Sequence, residues 1–297
     1  MVGFFSQNLV KYQLDLGLAS DALASADRAM RIFAQHLKPD SYTFGAGQSA
    51  RGGALLVARK AEPALKDLEA AFQTSQGVFG PRHAISLRTA SLRAAALGLV
   101  GRAQEATAAV RSLAEDPDVM GTGKPIELPY WLGVAARLTG DHREALRLQE
   151  MVVARSSGTA HGQRQKMNAL AEVGLNQAAL GAHADAEHSL HAALMMFKDL
   201  HVAISPPWAE ALVGMGRAKI SLNDSAAALP LLHQADAFWR DFDPNSRGAG
   251  EAAFWLGRCY AALSRPADAK KAYARAAQIL VRSPFPGDAE LLKIAGR

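Results

Sequence analysis

The feature that most constrains the fold of this 297-residue chain is an alanine that recurs at an almost fixed interval. The successive gaps are 42, 42, 39, 41, 42 and 41 residues. The marker alanines are Ala22, Ala64, Ala106, Ala145, Ala186, Ala228 and Ala269. A constant interval between about 20 and 50 residues is typical of solenoids, which stack one small unit many times. The sequence therefore predicts a repeat array.

The residues around each marker alanine follow the spacing of a helix. Positions four and seven residues after it are mostly apolar, and i, i+4 and i+7 lie on one face of an α-helix. A glycine stands twelve residues before the alanine in five of the seven repeats: Gly52, Gly133, Gly174, Gly216 and Gly257. A glycine inside a helix costs about 1 kcal/mol relative to alanine. We therefore expect a second helix to approach closely at this glycine.

A turn is predicted between the glycine and the marker alanine. Gly101, Gly140, Gly181 and Asn223 are residue types that end a helix in the left-handed conformation, and Ser264-Arg265-Pro266 occupies the same place in the last repeat. Asp, Ser and Pro then begin the next helix. Each repeat is thus predicted to be a helical hairpin whose two helices meet where small residues face each other.

These hairpins resemble the tetratricopeptide repeat (TPR). The clearest stretch is Leu256–Tyr260 followed by Ala269, Tyr273 and Ala276. The TPR period is about 34 residues, and the period here of about 42 resembles the longer, kinesin-light-chain type, whose Gly-x-x-His connector is similar to Gly80–His83. The resemblance covers roughly residues 3–281. It departs from the pattern where Val10 and Ala94 replace the glycine, and in the fourth repeat, which is three residues short and carries Gln149 on its packing face.

The predicted fold is all-α: an α-solenoid, wound as a right-handed superhelix, of about seven TPR-like hairpins with a short C-terminal capping helix. We expect a single repeat domain over residues 1–297, since each unit of such an array packs on its neighbours. The predicted units are 3–38, 41–78, 82–116, 125–157, 162–201, 205–242 and 246–282, with the cap at 287–296. An irregular joint is expected from Asp116 to Pro125.

Composition indicates the compartment. Apolar residues make up 49% of the chain and charged residues 21%, so it can bury a large core. The single cysteine, Cys259, cannot form an internal disulfide. No stretch approaches the roughly 18 to 20 apolar residues that span a bilayer, and no basic residue precedes Lys11, which argues against a signal peptide. We expect a cytoplasmic protein with no membrane partner.

Charge and motifs exclude several function classes. A net charge of +5 spread over 297 residues argues only weakly for nucleic acid, and acidic residues dilute the basic ones in the second and third repeats, so we expect no nucleic-acid partner. The chain contains no Gly-rich phosphate loop, His-Glu-x-x-His motif or Cys-x-x-Cys pair. Cys259 is interpreted as an inert core thiol. We expect no enzyme activity and no cofactor.

One cluster has spacings that suit a metal. His183, Glu187, His188 and His191 include pairs spaced i, i+3 and i, i+4, which can hold a zinc or nickel ion. The repeat register places the cluster away from the packing face, where a solvated polar surface is the simpler interpretation. We therefore assign no metal site. A metal-dependent enzyme that uses His183, His188 and His191 is the remote alternative.

The resemblance to TPR arrays implies that the first helix of each hairpin lines a concave, peptide-binding groove. The residue after the glycine is Val134, Leu175, Arg217 and Arg258 in the last four repeats, and seven residues earlier stand Glu127, Asn168, Glu210 and Glu251. The predicted binding residues are Asn168, Glu172, Glu210, Arg217, Glu251, Trp255, Arg258 and Trp131. Asparagine can bond a peptide backbone and arginine can pair with carboxylates. The alternative is that Arg217 and Arg258 pair with Glu210 and Glu251 and stay solvated.

The predicted function is a protein- or peptide-binding scaffold or adaptor, with residues 163–281 as the best-formed part of the groove. The alternative is the regulatory, sensor region of a larger bacterial signalling protein such as a kinase or transcription regulator, since long-period arrays resemble those attached to such proteins. The carboxylate-clamp pattern of chaperone-binding TPR modules is not evident. Homo-oligomerisation stays open, because the cluster of Phe238, Trp239 and Phe242 suits either a core or an interface.

Overall fold

The computed structural model describes residues 2–116, 120–121, 125–281, 283 and 288–295. Over these residues the chain forms fifteen α-helices and no strand, which confirms the all-α prediction. The helices are α1 (Val2–Asp15), α2 (Ala19–His36), α3 (Tyr42–Val57), α4 (Ala61–Phe79), α5 (Ala84–Leu99), α6 (Ala103–Ala114), α7 (Glu127–Leu138), α8 (His142–Arg155), α9 (Ala160–Ala179), α10 (His183–Asp199), α11 (Pro206–Ser221), α12 (Ser225–Phe242), α13 (Arg247–Ala262), α14 (Pro266–Leu280) and α15 (Asp288–Ala295). Most of the expected irregular joint, 117–119 and 122–124, lies outside the described residues.

The helices pack in consecutive pairs, as the hairpin prediction requires. The odd-numbered first helices contact the second helices that follow them, from α1 with α2 to α13 with α14, and α15 packs on α14. First helices also contact one another, as α1 with α3 and α11 with α13 do. None of the helices in the described part of the chain combines the length and apolarity needed to cross a bilayer.

The turns between first and second helices have the predicted backbone conformation. Gly101, Gly140 and Gly181 have φ of 78°, 87° and 84°, and Asn223 and Ser264 have φ of 64° and 57°. This left-handed region reverses the chain within one residue and suits glycine and asparagine. Aspartates then cap two of the second helices: Asp141 accepts a hydrogen bond from the Glu144 amide at 3.1 Å, and Asp224 from the Ala227 amide at 3.3 Å.

The repeating glycine of the first helix is a point of close approach, but its partner is larger than expected. A Cβ added at Gly216 would lie 2.6 Å from Leu232 Cγ, closer than atoms can pack. The same contact joins Gly52 to Leu68, Gly133 to Gln149, Gly174 to Leu190 and Gly257 to Tyr273. The prediction that small residues face each other was therefore wrong: the glycine leaves room for the side chain four residues after the marker alanine.

By their internal contacts the helices form two compact units. The first unit comprises Met1–Lys166 with His201–Ala203, and the second comprises Met167–Leu200 with Ile204–Arg297, so α9 contributes to both. The marker alanines are buried throughout, and the single repeat domain over residues 1–297 and the right-handed superhelix stay predictions. In the second unit Trp239 is only 1% exposed and packs edge-on against Phe238 and Phe242, so it belongs to the core.

The first unit contains a long-range contact that the sequence did not predict. The Leu16 carbonyl, just after α1, accepts a hydrogen bond from the Ala203 amide at 2.9 Å. His161 Nδ1, at the start of α9, lies 2.7 Å from Asp15 Oδ2. A Cβ added at Gly17, where φ is 76°, would lie 2.7 Å from the Ala203 carbonyl oxygen, so only glycine fits this close approach.

Candidate functional site

The predicted binding residues of the second unit lie on three successive first helices. Asn168 and Glu172 are on α9, Glu210 and Arg217 are on α11, and Glu251, Trp255 and Arg258 are on α13. Helix α11 contacts α13 directly. We call the surface that these helices form in the second unit the first-helix face.

The first-helix face contains an arginine that lies over a tryptophan ring. Arg217 Cζ lies 5.3 Å from the centroid of the Trp255 ring, within the range of a cation–π contact. Phe254 meets Trp255 edge-on, with ring centroids 5.3 Å apart and an interplanar angle of 88°. The tryptophan is also packed against buried residues of α12 and α13. Because it is held on these sides, Trp255 is a fixed platform for the guanidinium.

Arg217 has no hydrogen-bonding partner among the residues that the structure describes. It is partly buried, and this desolvation lowers the pKa of its guanidinium, while the negative charge of Glu251 acts in the opposite direction. Arginine still carries its charge at neutral pH, and its five N–H donors lie in one plane. The first-helix face therefore holds a charged guanidinium that lies over the Trp255 ring and donates no hydrogen bond to a described residue.

Glu251 is bound by a different arginine. Arg247 Nη1 donates to Glu251 Oε2 at 2.9 Å, while its Nε and Nη2 donate to the two carboxylate oxygens of Asp288 at 2.9 and 2.8 Å. Asp288 begins α15 and is only 1% exposed. Among the described residues, Glu251 thus forms its ion pair with Arg247 and not with Arg217 or Arg258. Arg247 was not predicted from the sequence, because no repeating pattern marks its partner Asp288.

The remaining predicted residues differ in exposure. Asn168 and Glu210 are partly exposed, whereas Glu172 is buried, and its backbone carbonyl accepts a hydrogen bond from Asn176 Nδ2 at 2.8 Å. Arg258 is exposed, and its charge partly offsets the rise that burial causes in the pKa of Tyr273. A role in ligand binding stays a prediction for each of them.

Trp131 lies on α7 in the first unit and is not part of the first-helix face as defined above. Its ring packs edge-on against Tyr130, with centroids 5.1 Å apart, and it is partly buried on the core of that unit. Its place in the binding set stays a prediction.

The histidine cluster on α10 is not assembled as a metal site. Glu187 Oε1 accepts a bond from Lys219 Nζ at 2.7 Å, and His188 and His191 are exposed. Within the described ranges, no group of three or more His, Cys, Asp or Glu side chains is placed to hold a metal ion. Cys259 is fully buried, and its Sγ donates to the Ser225 carbonyl at 3.2 Å.

A cleft of about 450 Å³ lies in the first unit between α6, α7 and α8. Charged side chains of both signs line it, among them Arg111, Glu115 and Asp141. Arg147 Nη2 donates to Glu144 Oε1 at 2.6 Å, so two of the lining charges satisfy each other. This cleft has no group comparable to Arg217, and we do not favour it as the site.

Solved structures of other proteins share this fold. A Rap protein complexed with Competence and Sporulation Factor has a TM-score of 0.63 and 14% identity, over 99% of this chain and 85% of that chain. The Rap conjugation gene regulator of plasmid pLS20, in complex with the Phr* peptide, has a TM-score of 0.61 and 13% identity, over 93% and 75%. NprR in complex with its cognate peptide NprX has a TM-score of 0.56 and 13% identity, over 99% and 86%.

The comparisons define the class of the fold. A scan against models of protein families gives no match, and neither does a search of curated proteins. At 13 to 14% identity the structural likeness concerns the fold alone. The chain has the all-α, TPR-like solenoid fold of these proteins. The kinesin-light-chain-like period stays a prediction.

Proposed function

We propose that the chain binds a peptide, or an extended segment of a protein, on the first-helix face and acts as a scaffold or adaptor without catalysis. The observation that carries the proposal is the Arg217–Trp255 pair, which joins α11 to α13 and whose guanidinium donates to none of the described residues. The shared fold supports it, since NprR and two Rap proteins are described in complex with NprX, Competence and Sporulation Factor and the Phr* peptide.

The proposed binding residues have the chemistry that peptide recognition requires. Trp and Arg are over-represented at the energetic centres of interfaces. An amide such as Asn168 both donates and accepts, as an extended backbone does. A surface already fixed by helix packing reduces the ordering cost of binding. We include Glu172, Glu210, Glu251 and Arg258 in the same set, and we keep Trp131 of the first unit as a separate predicted binding residue.

A second candidate is that the chain is the sensor region of a larger signalling protein. The observation in its favour is that one protein of this fold is named as a conjugation gene regulator and is bound to a peptide. Here the same binding event would control an attached or associated domain. We propose a cytoplasmic setting for either role, since a chain with one cysteine does not depend on disulfides.

A peptide selection tests the proposed function. Random peptides of about ten residues, which extend to roughly 33 Å, are displayed and selected on the full chain. Enriched peptides are then synthesised and titrated by fluorescence anisotropy. We expect the Asn168→Ala/Trp255→Phe variant to bind at least about tenfold more weakly, with its fold verified by circular dichroism.

Tyr12→Ala provides the matched control, because Tyr12 is an exposed aromatic residue on α1 in the first unit. This variant should bind as the wild type does. Failure to enrich any peptide, or equal binding by the Asn168→Ala/Trp255→Phe variant, would overturn the proposal.

A further inference from the structure

Three partly buried arginines elsewhere in the chain each have a carboxylate partner. Arg51 Nη2 donates to Asp67 Oδ1 at 2.7 Å, Arg247 binds both oxygens of Asp288, and Arg275 binds Asp236. The side chains of these three arginines are 28 to 32% exposed. Proteins satisfy buried charges in this way because an unpaired one loses solvation without compensation.

Arg217, by contrast, makes no hydrogen bond to a carboxylate of the described residues. Burial lowers its pKa, and the stabilising contact that it does make is with the face of Trp255. The N–H groups of a guanidinium lie in one plane and form the edge of the fork. That edge is the one that pairs with a carboxylate through two parallel hydrogen bonds. The contact with Trp255 therefore holds the guanidinium over the ring while none of its N–H groups donates to a described residue.

The neighbouring first helix shows a complete example of this pairing. On α13, Arg247 donates through Nε and Nη2 to the carboxylate of Asp288, a residue of the C-terminal segment. There the carboxylate comes from the chain itself, and the ion pair holds α15 against α13. At Arg217 the charge of Glu251 acts from nearby, but the described chain supplies no carboxylate that accepts its hydrogen bonds.

We propose that Arg217 holds the bound peptide by a carboxylate, and that peptides with a carboxylate placed for the Arg217–Trp255 pair are the ligand class of the first-helix face. This inference rests on the proposed function and names its ligand chemistry. One unpaired guanidinium beside Glu251 matches the single charge of a carboxylate. A phosphoryl group, with roughly two charges, is usually held by a cluster of arginines.

The carboxylate can come from the C-terminus of the peptide or from an Asp or Glu side chain, and matched peptides distinguish the two. Each selected peptide is made as the free acid, as the C-terminal amide and with Asp or Glu replaced by Asn or Gln. All forms are titrated by anisotropy against the wild type and Arg217→Gln. One of the two replacements should weaken wild-type binding about 10- to 100-fold and Arg217→Gln binding less than about twofold.

Two further variants keep the test specific. Arg217→Lys retains a charge but not the planar fork, so it should lose most of the dependence on the carboxylate. Arg258→Gln removes an exposed arginine of the same face and should retain the full dependence. Thermal melts followed by circular dichroism establish that each variant is folded.

The outcomes separate this inference from the proposed function. If peptides bind the wild type but carboxylate removal acts equally on wild type and Arg217→Gln, the carboxylate inference is overturned and peptide binding stands. If Arg258→Gln alone abolishes the dependence, the carboxylate site is at Arg258 and the inference is also overturned. If no peptide binds the wild type, both proposals fail.

Discussion

Arg51 in the first unit precedes the repeat glycine Gly52, whereas Arg217 in the second unit follows the equivalent Gly216, both on first helices. Hydrogen bonding to Asp67, with further attraction from Asp27, raises the pKa of Arg51. Desolvation lowers the pKa of Arg217. The two repeat positions are two residues apart, about 200° around a helix, so the two arginines face different neighbours. A carboxylate on the second helix of its own hairpin makes Arg51 part of the fold, and the lack of one leaves Arg217 available.

The largest effect that would sharpen this contrast concerns Arg51. Arg51→Gln leaves the Asp67 carboxylate, which is 4% exposed, without its charged partner. We expect a loss of about 3 kcal/mol in the free energy of unfolding. Arg217→Gln removes no hydrogen bond and relieves a desolvated charge, so its effect should stay within about 1 kcal/mol. Urea titration of both variants followed by circular dichroism measures the difference.

Equal losses in the two variants would break the comparison, because Arg217 would then be structural as well. The double variant Arg51→Gln/Asp67→Asn serves as the control. It should recover part of the loss, because the remaining amide no longer buries an unpaired charge.

A second contrast lies between two hairpins that fill the same glycine slot differently. In the α7–α8 hairpin Gln149 faces Gly133; its Nε2 donates to the Tyr130 carbonyl at 2.9 Å, but its buried Oε1 has no partner among the described residues. In the α9–α10 hairpin Leu190 fills the slot at Gly174. We expect Gln149→Leu to stabilise the chain by about 1 kcal/mol, as measured by its unfolding midpoint in urea.

The reverse change, Leu190→Gln, is the matched control and should cost about 2 kcal/mol, since it buries an amide where a leucine packs. A destabilising Gln149→Leu would mean that the bond to the Tyr130 carbonyl outweighs the unsatisfied oxygen.

Turn chemistry gives a smaller contrast. Ser264 adopts a φ of 57° in the turn where the α9–α10 hairpin has Gly181 at 84°. A residue with a Cβ is strained in this region, whereas glycine is not, although glycine gives the unfolded chain more freedom. Ser264→Gly should therefore stabilise the chain by about 0.5 kcal/mol, and Gly181→Ser should destabilise it by a similar amount. If thermal melts show a lower midpoint for Ser264→Gly and a higher one for Gly181→Ser, backbone strain at these turns does not determine the stability change.

The hairpins could be predicted from the sequence because their signals are local. Asn223 ends a helix by its own backbone preference, and Gly216 and Leu232 recur at fixed distances from the marker alanine. The chemistry of the first-helix face was only partly predictable. Arg217 and Trp255 were both identified, but their stacking depends on the packing of α11 against α13, which repeat register does not encode. For the same reason, the pairing of Arg247 with Asp288 and the contact between Asp15 and His161 were missed.

The smallest expected signal concerns Cys259, another group of the second unit whose pKa is shifted by burial. Burial raises the pKa of its thiol, which donates a hydrogen bond to the Ser225 carbonyl. An unfolded thiol has a pKa of about 8.5. Near that pH the folded chain therefore keeps the proton that the unfolded chain begins to lose. The stability that Cys259 contributes is therefore complete below about pH 8.5 and is lost as the pH rises towards the folded pKa.

At about pH 8, Ellman's reagent should leave native Cys259 unmodified and react fully after unfolding in urea, while Cys259→Ala loses the extra decline in stability above about pH 8.5. Rapid labelling of the native chain would show that the contact between α12 and α13 opens readily. That outcome would weaken the comparison of Arg51 with Arg217, because Trp255, which contacts Arg217, packs against these same two helices. If the thiol is unreactive and Arg217→Gln changes peptide binding, burial protects Cys259 from the reagent while Arg217 remains able to bind a ligand.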